Sequence, residues 1–344
     1  VSNVLAQGAR RGPAPRPDVA FTPVINGMDY LESVFEHLTR GKIPSARDLK
    51  YAVLHLQAAT EVLLKARLKA EHFSLLFSHP GKATREKFER GDFQSCTTLE
   101  AVDRLRDIAQ LAISKDDRER IEELGKTRNA LQHYGLTLSA AAVEARAVGV
   151  LDFLITFIGR HLLPGLPSDE ASRATETMVS LAPRLGSVQA LVTQRLTRLS
   201  DTLDRVVDVT VKCPDCKMWA LVADGTAAGP RCLFCERAWE SPHSAAVDYA
   251  FIMTELAPVP DSPGTWTTVV IDCLRCGESA LVPEAVTTAP LPGPTPLCFA
   301  CGTVFGYLAD CGGCGNTLDS GPTPDKFPLC DPCFRVKHAG EDIL

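Results

Sequence analysis

The chain has 344 residues, 45% hydrophobic and 23% charged, with a net charge of −6. That length holds two or three domains with cores of their own, and the composition excludes a fibrous or wholly disordered chain. No apolar run approaches the roughly 18–20 residues of a membrane-spanning helix, so a helical membrane protein is excluded too.

Residues 1–25, which include ARRGPAPRPD, lack the continuous apolar stretch of a secretory signal and predict a disordered Pro/Arg-rich tail. Residues 26–165 read as helical. An amphipathic segment runs from Asp29 to Thr39 and ends at Gly41. Ser45 then opens a long helix without internal Gly or Pro, whose stripe Val53, Leu56, Ala59, Leu63, Leu64 and Leu68 marks one buried face. Pro80-Gly81 is its expected stop. Glu61 and Lys65, four apart on it, read as a surface pair, and His55 and His72 as packed side chains. Thr97 or Thr98 starts the next helix, running to about Ile113. Asp116 or Asp117 caps another that ends at Gly135, and Ser139 caps a last one stopped by Pro164. Cys96 reads as a plain loop thiol. Short connections between such helices predict an antiparallel bundle.

Residues 166–210 form a helical connector, interrupted near Pro183 and Gly186. Leu185, Val188, Val192, Leu196, Leu199, Leu203 and Val206 step along it by threes and fours, leaving Arg195, Arg198 and Arg205 off the seam. The seam suits either a short dimeric coiled coil or packing on the bundle.

Beyond residue 210 the chain changes character. Twelve of its 13 cysteines form six C-x-x-C pairs: Cys213/Cys216, Cys232/Cys235, Cys273/Cys276, Cys298/Cys301, Cys311/Cys314 and Cys330/Cys333. Taken two pairs at a time, the spacers are 15, 21 and 15 residues. This is the spacing of tetrahedral four-thiolate zinc sites, and it predicts three structural Zn²⁺ ions. Gly277, Gly302 and Gly315 follow the second cysteine of a pair, where a tight turn calls for positive φ. Structural disulfides fit poorly, since neighbouring C-x-x-C pairs rarely bridge and no secretory signal is seen, so a reducing, cytoplasmic location is expected. A redox C-x-x-C requires a strand-to-helix setting that these Pro/Gly-rich surroundings do not offer. The segments CPDCKMWALV and CLRCGESALV echo one another, so residues 211–260 and 261–306 read as duplicated zinc ribbons, with a shorter third at 307–344. Val269–Ile271 and Ala280–Val282 are the expected strands and the remainder loop, including the Pro-rich excursion after Val282. Trp219, Trp239 and Trp266 are expected to pack these small modules.

These closed four-cysteine sets leave no open coordination position, and the nearest histidines, His243 and His338, lie outside them, so catalytic metal chemistry is not expected. Nucleic-acid binding by the ribbons is also disfavoured. Residues 211–344 carry 8 Lys/Arg against 16 Asp/Glu, and each Zn²⁺ held by four thiolates adds about −2, whereas phosphate binding rests on clustered Lys/Arg. An acidic ribbon region fits a protein partner better.

In the helical half one segment carries chemistry. Arg128, Asn129 and His133 form R-N-x3-H at the end of a predicted helix, before Gly135. Asn129 and His133 share a face, while Arg128 and His133 are about 140° apart around the axis. Only the long Arg side chain, or a second subunit, brings guanidinium and imidazole to one phosphate. The partial negative charge of the last helical turn also attracts a cation there. A guanidinium for phosphate and a histidine for proton transfer are a minimal set for RNA cleavage.

Residues 27–163, through RNALQH and the long helix with HLQAATEVLLKARL, resemble the HEPN domain family of all-α bundles. That resemblance implies an R-x4–6-H motif formed by Arg128, Asn129 and His133. It further implies a homodimer whose two motifs face each other across a twofold cleft, and metal-independent cleavage of RNA to a 2′,3′-cyclic phosphate and a 5′-OH. His133 would be general base or acid, Arg128 would stabilise phosphoryl charge, and Asn129 would orient one of them. The family's modifiable Tyr two residues after the His is not matched, since Tyr134 follows immediately. The fold expectation is thus mainly α, an HEPN-like bundle and connector followed by small β zinc ribbons. The functional expectation is an endoribonuclease, a prokaryotic toxin or anti-phage effector regulated through its ribbons. The alternative is a non-catalytic adaptor binding protein partners.

Overall fold

The computed structural model describes residues 19–254, 259–262, 265–267, 270–291, 293–321 and 327–338; most of the tail expected at 1–25 lies outside them. The first helix, α1 (Pro23–Leu38), begins inside that stretch and before Asp29. The Thr22 hydroxyl accepts the Ile25 N–H, and Pro23 occupies the first turn, where its missing N–H is no loss. Helix α2 (Ala46–Glu71) opens on a reciprocal capping box between Ser45 and Asp48. It ends at His72 rather than running on towards Pro80. His72 turns extended and its side chain caps a single 3₁₀ turn, Phe73–Leu76, so this histidine is exposed and not packed. Contacts of Gly27 with Leu63, Ser33 with His55 and His37 with Asp48 make α1 and α2 an antiparallel hairpin. Its axes approach so closely that a Cβ on Gly27 would lie 2.5 Å from Leu63.

After α3 (Arg85–Arg90), α4 (Thr98–Asp107) starts on a Thr97–Glu100 capping box and stops short of Ile113. Ser114, not Asp116 or Asp117, caps α5 (Lys115–His133), its hydroxyl accepting the Asp117 N–H at 3.0 Å. Gly135 follows at φ +79°. Ser139 caps α6 (Ala140–Phe157), which widens into one π-helical stretch, Ile158–Leu162, before a 3₁₀ turn through Pro164. Helix α2 is the bundle's centre, packed by α1, α4, α5 and α6. Its Leu56, Leu63, Leu64 and Leu68 are fully buried, each contributing about 1.5–3 kcal/mol by leaving water. Cys96 belongs to the same core.

Helix α7 (Ser168–Leu185) carries Pro183 without breaking; the break falls at residues 186–188, before α8 (Gln189–Leu203). Packing on the bundle is the use the structure makes of the apolar seam, with α7 against α1 and α8 against α6. Leu185, Val188, Leu191, Val192 and Leu199 are buried there. Arg195, expected off the seam, is fully buried in it.

The cysteine-rich part opens with an antiparallel sheet of β1 (Thr210–Lys212), β2 (Trp219–Val222) and β3 (Arg231–Cys232). A helix where loop was expected, α9 (Pro242–Met253), follows a Ser241 cap. Strands β4 (Val259–Ser262) and β5 (Thr265–Thr267) pair antiparallel. The second sheet, β6 (Ile271–Asp272), β7 (Ser279–Ala285) and β8 (Thr295–Cys298), repeats the order of the first and irregularities at matching places. Residue 269 of the expected strand lies outside the description. The Pro-rich excursion is not free: Thr287 bridges Val211, and the Thr288 N–H meets the Thr210 carbonyl at 2.9 Å. The two modules also touch backbone to backbone, where a Cβ on Gly225 (φ +72°) would lie 2.5 Å from the Cys301 carbonyl. A hairpin of β9 (Leu308–Asp310) and β10 (Thr317–Asp319) and a last helix, α10 (Asp331–His338), complete the third module. Trp239 is buried and donates to Asp248 at 2.8 Å, whereas Trp219 is 41% exposed and does not serve as core. The Trp266 side chain lies outside the description.

Candidate metal centres and the Arg128–His133 segment

Each module gathers one sulfur quartet. Cys213, Cys216, Cys232 and Cys235 form the first, Cys273, Cys276, Cys298 and Cys301 the second, and Cys311, Cys314, Cys330 and Cys333 the third, with all four Sγ atoms of a set within 4.8 Å of one another. The close Sγ–Sγ separations are 3.7 and 3.9 Å in the first, 3.8 Å in the second and 3.7 Å in the third. A disulfide requires about 2.0 Å. A tetrahedron with metal–sulfur bonds of about 2.3 Å has edges of about 3.8 Å. The quartets therefore have the dimensions of a closed metal site, and neither His nor carboxylate enters any of them among the described residues.

Five of the six pairs sit on a turn that the backbone closes in the same way. The N–H groups of Lys217, Gly277, Gly302, Gly315 and Phe334 bond the carbonyl of the pair's first cysteine at 2.8–3.0 Å. Gly277, Gly302 and Gly315 have the positive φ expected from the sequence. In the first module the same position is held by Lys217 and Glu236, at φ 62° and 61°, so the strain that glycine avoids is carried there by ordinary residues. Backbone amides also turn to sulfur. The Cys330 and Gly313 N–H groups point at Cys311 Sγ from 3.3 and 3.4 Å, and with the Cys314 amide they hold its thiol at about 6. In the first quartet, hydrogen bonds led by that of Cys216 draw Cys213 far below an ordinary thiol. Burial first, and the other thiols after it, push Cys232 well above. One thiolate stabilised by its neighbours is a site arranged for a cation.

Arg128, Asn129 and His133 all lie on α5, whose inward face is Leu124 and Thr127. Asn129 and His133 are exposed and Arg128 half-buried. Arg128 Nη1 donates to Asn129 Oδ1 at 2.9 Å, and His133 stands beside the Tyr134 ring, with centroids 6.1 Å apart. The chain thus brings Arg128 and Asn129 together. Among the described residues Arg128 and His133 make no contact, as their angular separation requires. The other polar candidates fall where expected or nearly so. Glu61 and Lys65 pair at 2.5 Å, His243 Nδ1 meets the Ser279 carbonyl at 2.6 Å, and the His338 side chain lies outside the description.

Two constellations escaped the sequence. Arg195 joins α8 to α6 and to the first metal module. It donates to Asp152 Oδ1 at 2.5 Å, to Glu236 Oε1 at 3.2 Å and to the Leu233 and Phe234 carbonyls of the turn carrying Cys232 and Cys235. Arg198 also reaches Asp152, while Arg160 and Arg231 reach Glu236. The second lines the α1–α2 hairpin. His55 Nδ1 meets Ser33 at 2.9 Å, His37 Nδ1 donates to Asp48 at 3.3 Å, and Tyr51 stacks on His37. Burial, then the nearby His37, lowers the pKa of His55. Tyr30-Ser33-His37 and Asp48-Tyr51-His55 share the spacing of i, i+3, i+7, the signal that marks one helix face.

Fold and sites together define a class: a mainly helical N-terminal region followed by small antiparallel β modules carrying three four-cysteine metal-binding clusters. No protein-family model matches the chain, and no curated protein or solved structure does so either. No described helix is long and apolar enough to cross a membrane.

Proposed function

We propose that this chain is a metal-independent endoribonuclease of HEPN type, acting as a homodimer, with one structural Zn²⁺ in each cysteine quartet. One observation carries the catalytic reading. Arg128 is held by the neutral Asn129 amide and pairs with no carboxylate among the described residues, on the helix whose last turn exposes His133. Its charge is therefore available to a phosphate. In two facing copies, one His133 takes the proton of a ribose 2′-OH as O2′ bonds to phosphorus. The P–O5′ bond breaks, and the other His133 returns a proton to O5′. Arg128 offsets the charge growing on the phosphoryl oxygens.

The sulfur spacings support zinc, and closed four-thiolate sets make its role structural. When bound, the ion supplies cross-linking, not a reaction step. Thiolate sites suit a reducing cytoplasm, and a nuclease of this kind fits a prokaryotic toxin or anti-phage effector governed through its ribbons.

A specific observation favours a second reading, a non-catalytic adaptor. The third module exposes Tyr307, Phe327 and Val336 by 50, 82 and 80% and carries more Asp/Glu than Lys/Arg, which suits a partly apolar protein partner. Labelled single-stranded RNA incubated with the zinc-loaded protein and with Arg128→Ala and His133→Ala separates the two. The nuclease reading expects cleavage lost by about 10²-fold or more in each variant. Intact RNA with the wild type, or equal cutting by the variants, leaves the adaptor.

A further inference from the structure

The π-helical stretch at the end of α6 aims two consecutive basic residues, Arg160 and His161, at the last turns of α2. Together with Ala66, Arg67 and Glu71 of that helix they line a half-open cavity of about 440 Å³, which Leu111, Leu162 and the Pro164–Leu166 turn also border. A π-helical turn breaks the regular helical ladder, and such breaks are frequent at functional sites. Nothing in the catalytic reading above uses these residues.

Three basic groups therefore meet in one apolar-walled space against a single lining carboxylate. Neither guanidinium is exhausted by its internal partner. Arg67 spends Nη1 on Glu71 at 2.6 Å, and Arg160 spends Nε on Glu236 at 3.3 Å. Their remaining nitrogens have no hydrogen-bond partner among the described residues. His161 rests its ring on Phe157, with centroids 6.0 Å apart, and neither of its ring nitrogens is hydrogen-bonded among the described residues. Burial first, then the charges of Arg67 and Arg160, lower its pKa, with Glu236 acting weakly the other way. The imidazole thus stands close enough to both guanidiniums to feel them, and the three present unused donors around one volume.

We propose that this cavity binds a small phosphate ester with a flat, largely apolar body, the size of a mononucleotide. The phosphate takes charge-assisted bonds from Arg67, Arg160 and His161, a combination matched to several oxygens of one anion. The body lies against Leu111, Pro164 and Leu166, which offer contact area but no charge. A half-open cavity of this size is in the range that holds a ligand as large as a single nucleotide. Because Arg160 also holds Glu236, beside the first metal quartet, an occupant is positioned to be sensed there.

Isothermal titration of the full-length, zinc-loaded protein with AMP, adenosine and inorganic phosphate tests this. AMP is expected to bind with a 1:1 stoichiometry, and both adenosine and phosphate about tenfold or more weaker, since each lacks one half of the recognition. Arg67→Gln and His161→Gln are each expected to weaken AMP by about tenfold or more. Arg128→Ala, remote from the cavity, leaves AMP binding as it was, so this inference and the nuclease reading fail separately. Circular dichroism and zinc content of the variants, matching the wild type, establish that they fold. AMP binding that is absent at millimolar concentration, or equal for phosphate alone, or unchanged in both folded variants, overturns the proposal.

Discussion

Replacing Arg195 with Ala is the most informative single change for the architecture. The side chain is fully buried and donates to six acceptors: the Asp152 carboxylate and backbone carbonyl, the Thr156 hydroxyl, the Glu236 carboxylate and the carbonyls of Leu233 and Phe234. Removing one member of a buried ion pair costs about 3–5 kcal/mol when its partner is left uncompensated. Here the partners are not abandoned. Asp152 keeps Arg198 at 2.7 Å and Glu236 keeps Arg231 at 2.6 Å, which pulls the cost to the low end of that range. The Leu233 and Phe234 carbonyls, in contrast, lose a donor that nothing else on the turn supplies. Each such loss costs about 1–3 kcal/mol. Taking the low end for the ion pair and for each of the two carbonyls, we expect a total of about 5 kcal/mol, and faster release of one of three zinc ions, because those carbonyls belong to the turn that presents Cys232 and Cys235. Urea denaturation followed by circular dichroism reads the first quantity, and a chromophoric zinc chelator under native conditions reads the second. Arg198→Ala is the control. At 41% side-chain exposure it should cost less than about 1 kcal/mol. A loss below about 1 kcal/mol for Arg195→Ala, with zinc released at the wild-type rate, refutes the account of how helices and ribbons are joined.

Other outcomes follow from the same structure. Cys232→Ser should lower zinc content by one ion and destabilise the whole chain. Cys314→Ser should remove one ion with a far smaller effect on melting, since the first quartet is wholly buried and Cys314 is exposed; elemental analysis and calorimetry check both. Gly225→Ala must find room 2.5 Å from the Cys301 carbonyl at a φ of +72°. It should cost about 1–3 kcal/mol, read as an earlier urea midpoint, and a neutral result would refute the contact between the two ribbons. The Ser45 hydroxyl, then His37, hold the Asp48 carboxyl below its ordinary pKa. A depressed carboxylate contributes stability that is present above its unfolded pKa of about 3.9 and lost as pH falls through the folded value. Asp48→Asn should therefore destabilise at neutral pH and flatten the loss of stability below about pH 4, and an unchanged acid limb in pH-dependent melting contradicts this.

What could be read from the sequence follows the range of the interactions involved. The cysteine quartets were legible because a four-thiolate site writes its geometry into spacing, two sulfurs per turn and a fixed loop between. Helix starts at Ser45, Thr97 and Ser139 were legible because a cap is a contact over three residues. The early start of α1 and the Ser114 cap were missed where a stronger-looking acidic or apolar residue stood nearby. Helix α9 went unseen because its buried residues, Ala245, Ala246, Tyr249 and Ala250, are mostly small and form no wide apolar stripe. Arg195 was the instructive error. A charged residue on an apolar seam reads as solvent-facing unless its acids are known. Those acids are Asp152 and Glu236, 43 residues earlier and 41 later. His161 and Arg67 are likewise brought together by the crossing of α2 with the π-helical stretch, not by any local pattern. Asn129 and His133 are exposed and Arg128 is half-buried, turned away from His133 as their spacing requires.

The most direct test of the central claim is the chemistry of the cut ends. A short 5′-labelled RNA is treated with the zinc-loaded protein in the presence of EDTA, for a time over which zinc content is shown to hold. Its products are then resolved before and after acid opening and phosphatase treatment. The account predicts a 2′,3′-cyclic phosphate on the upstream fragment, a 5′-OH on the downstream one, and neither product with His133→Ala. A 5′-phosphate and 3′-OH, cleavage that stops in EDTA while the zinc stays bound, or the same products from the His133 variant would contradict it.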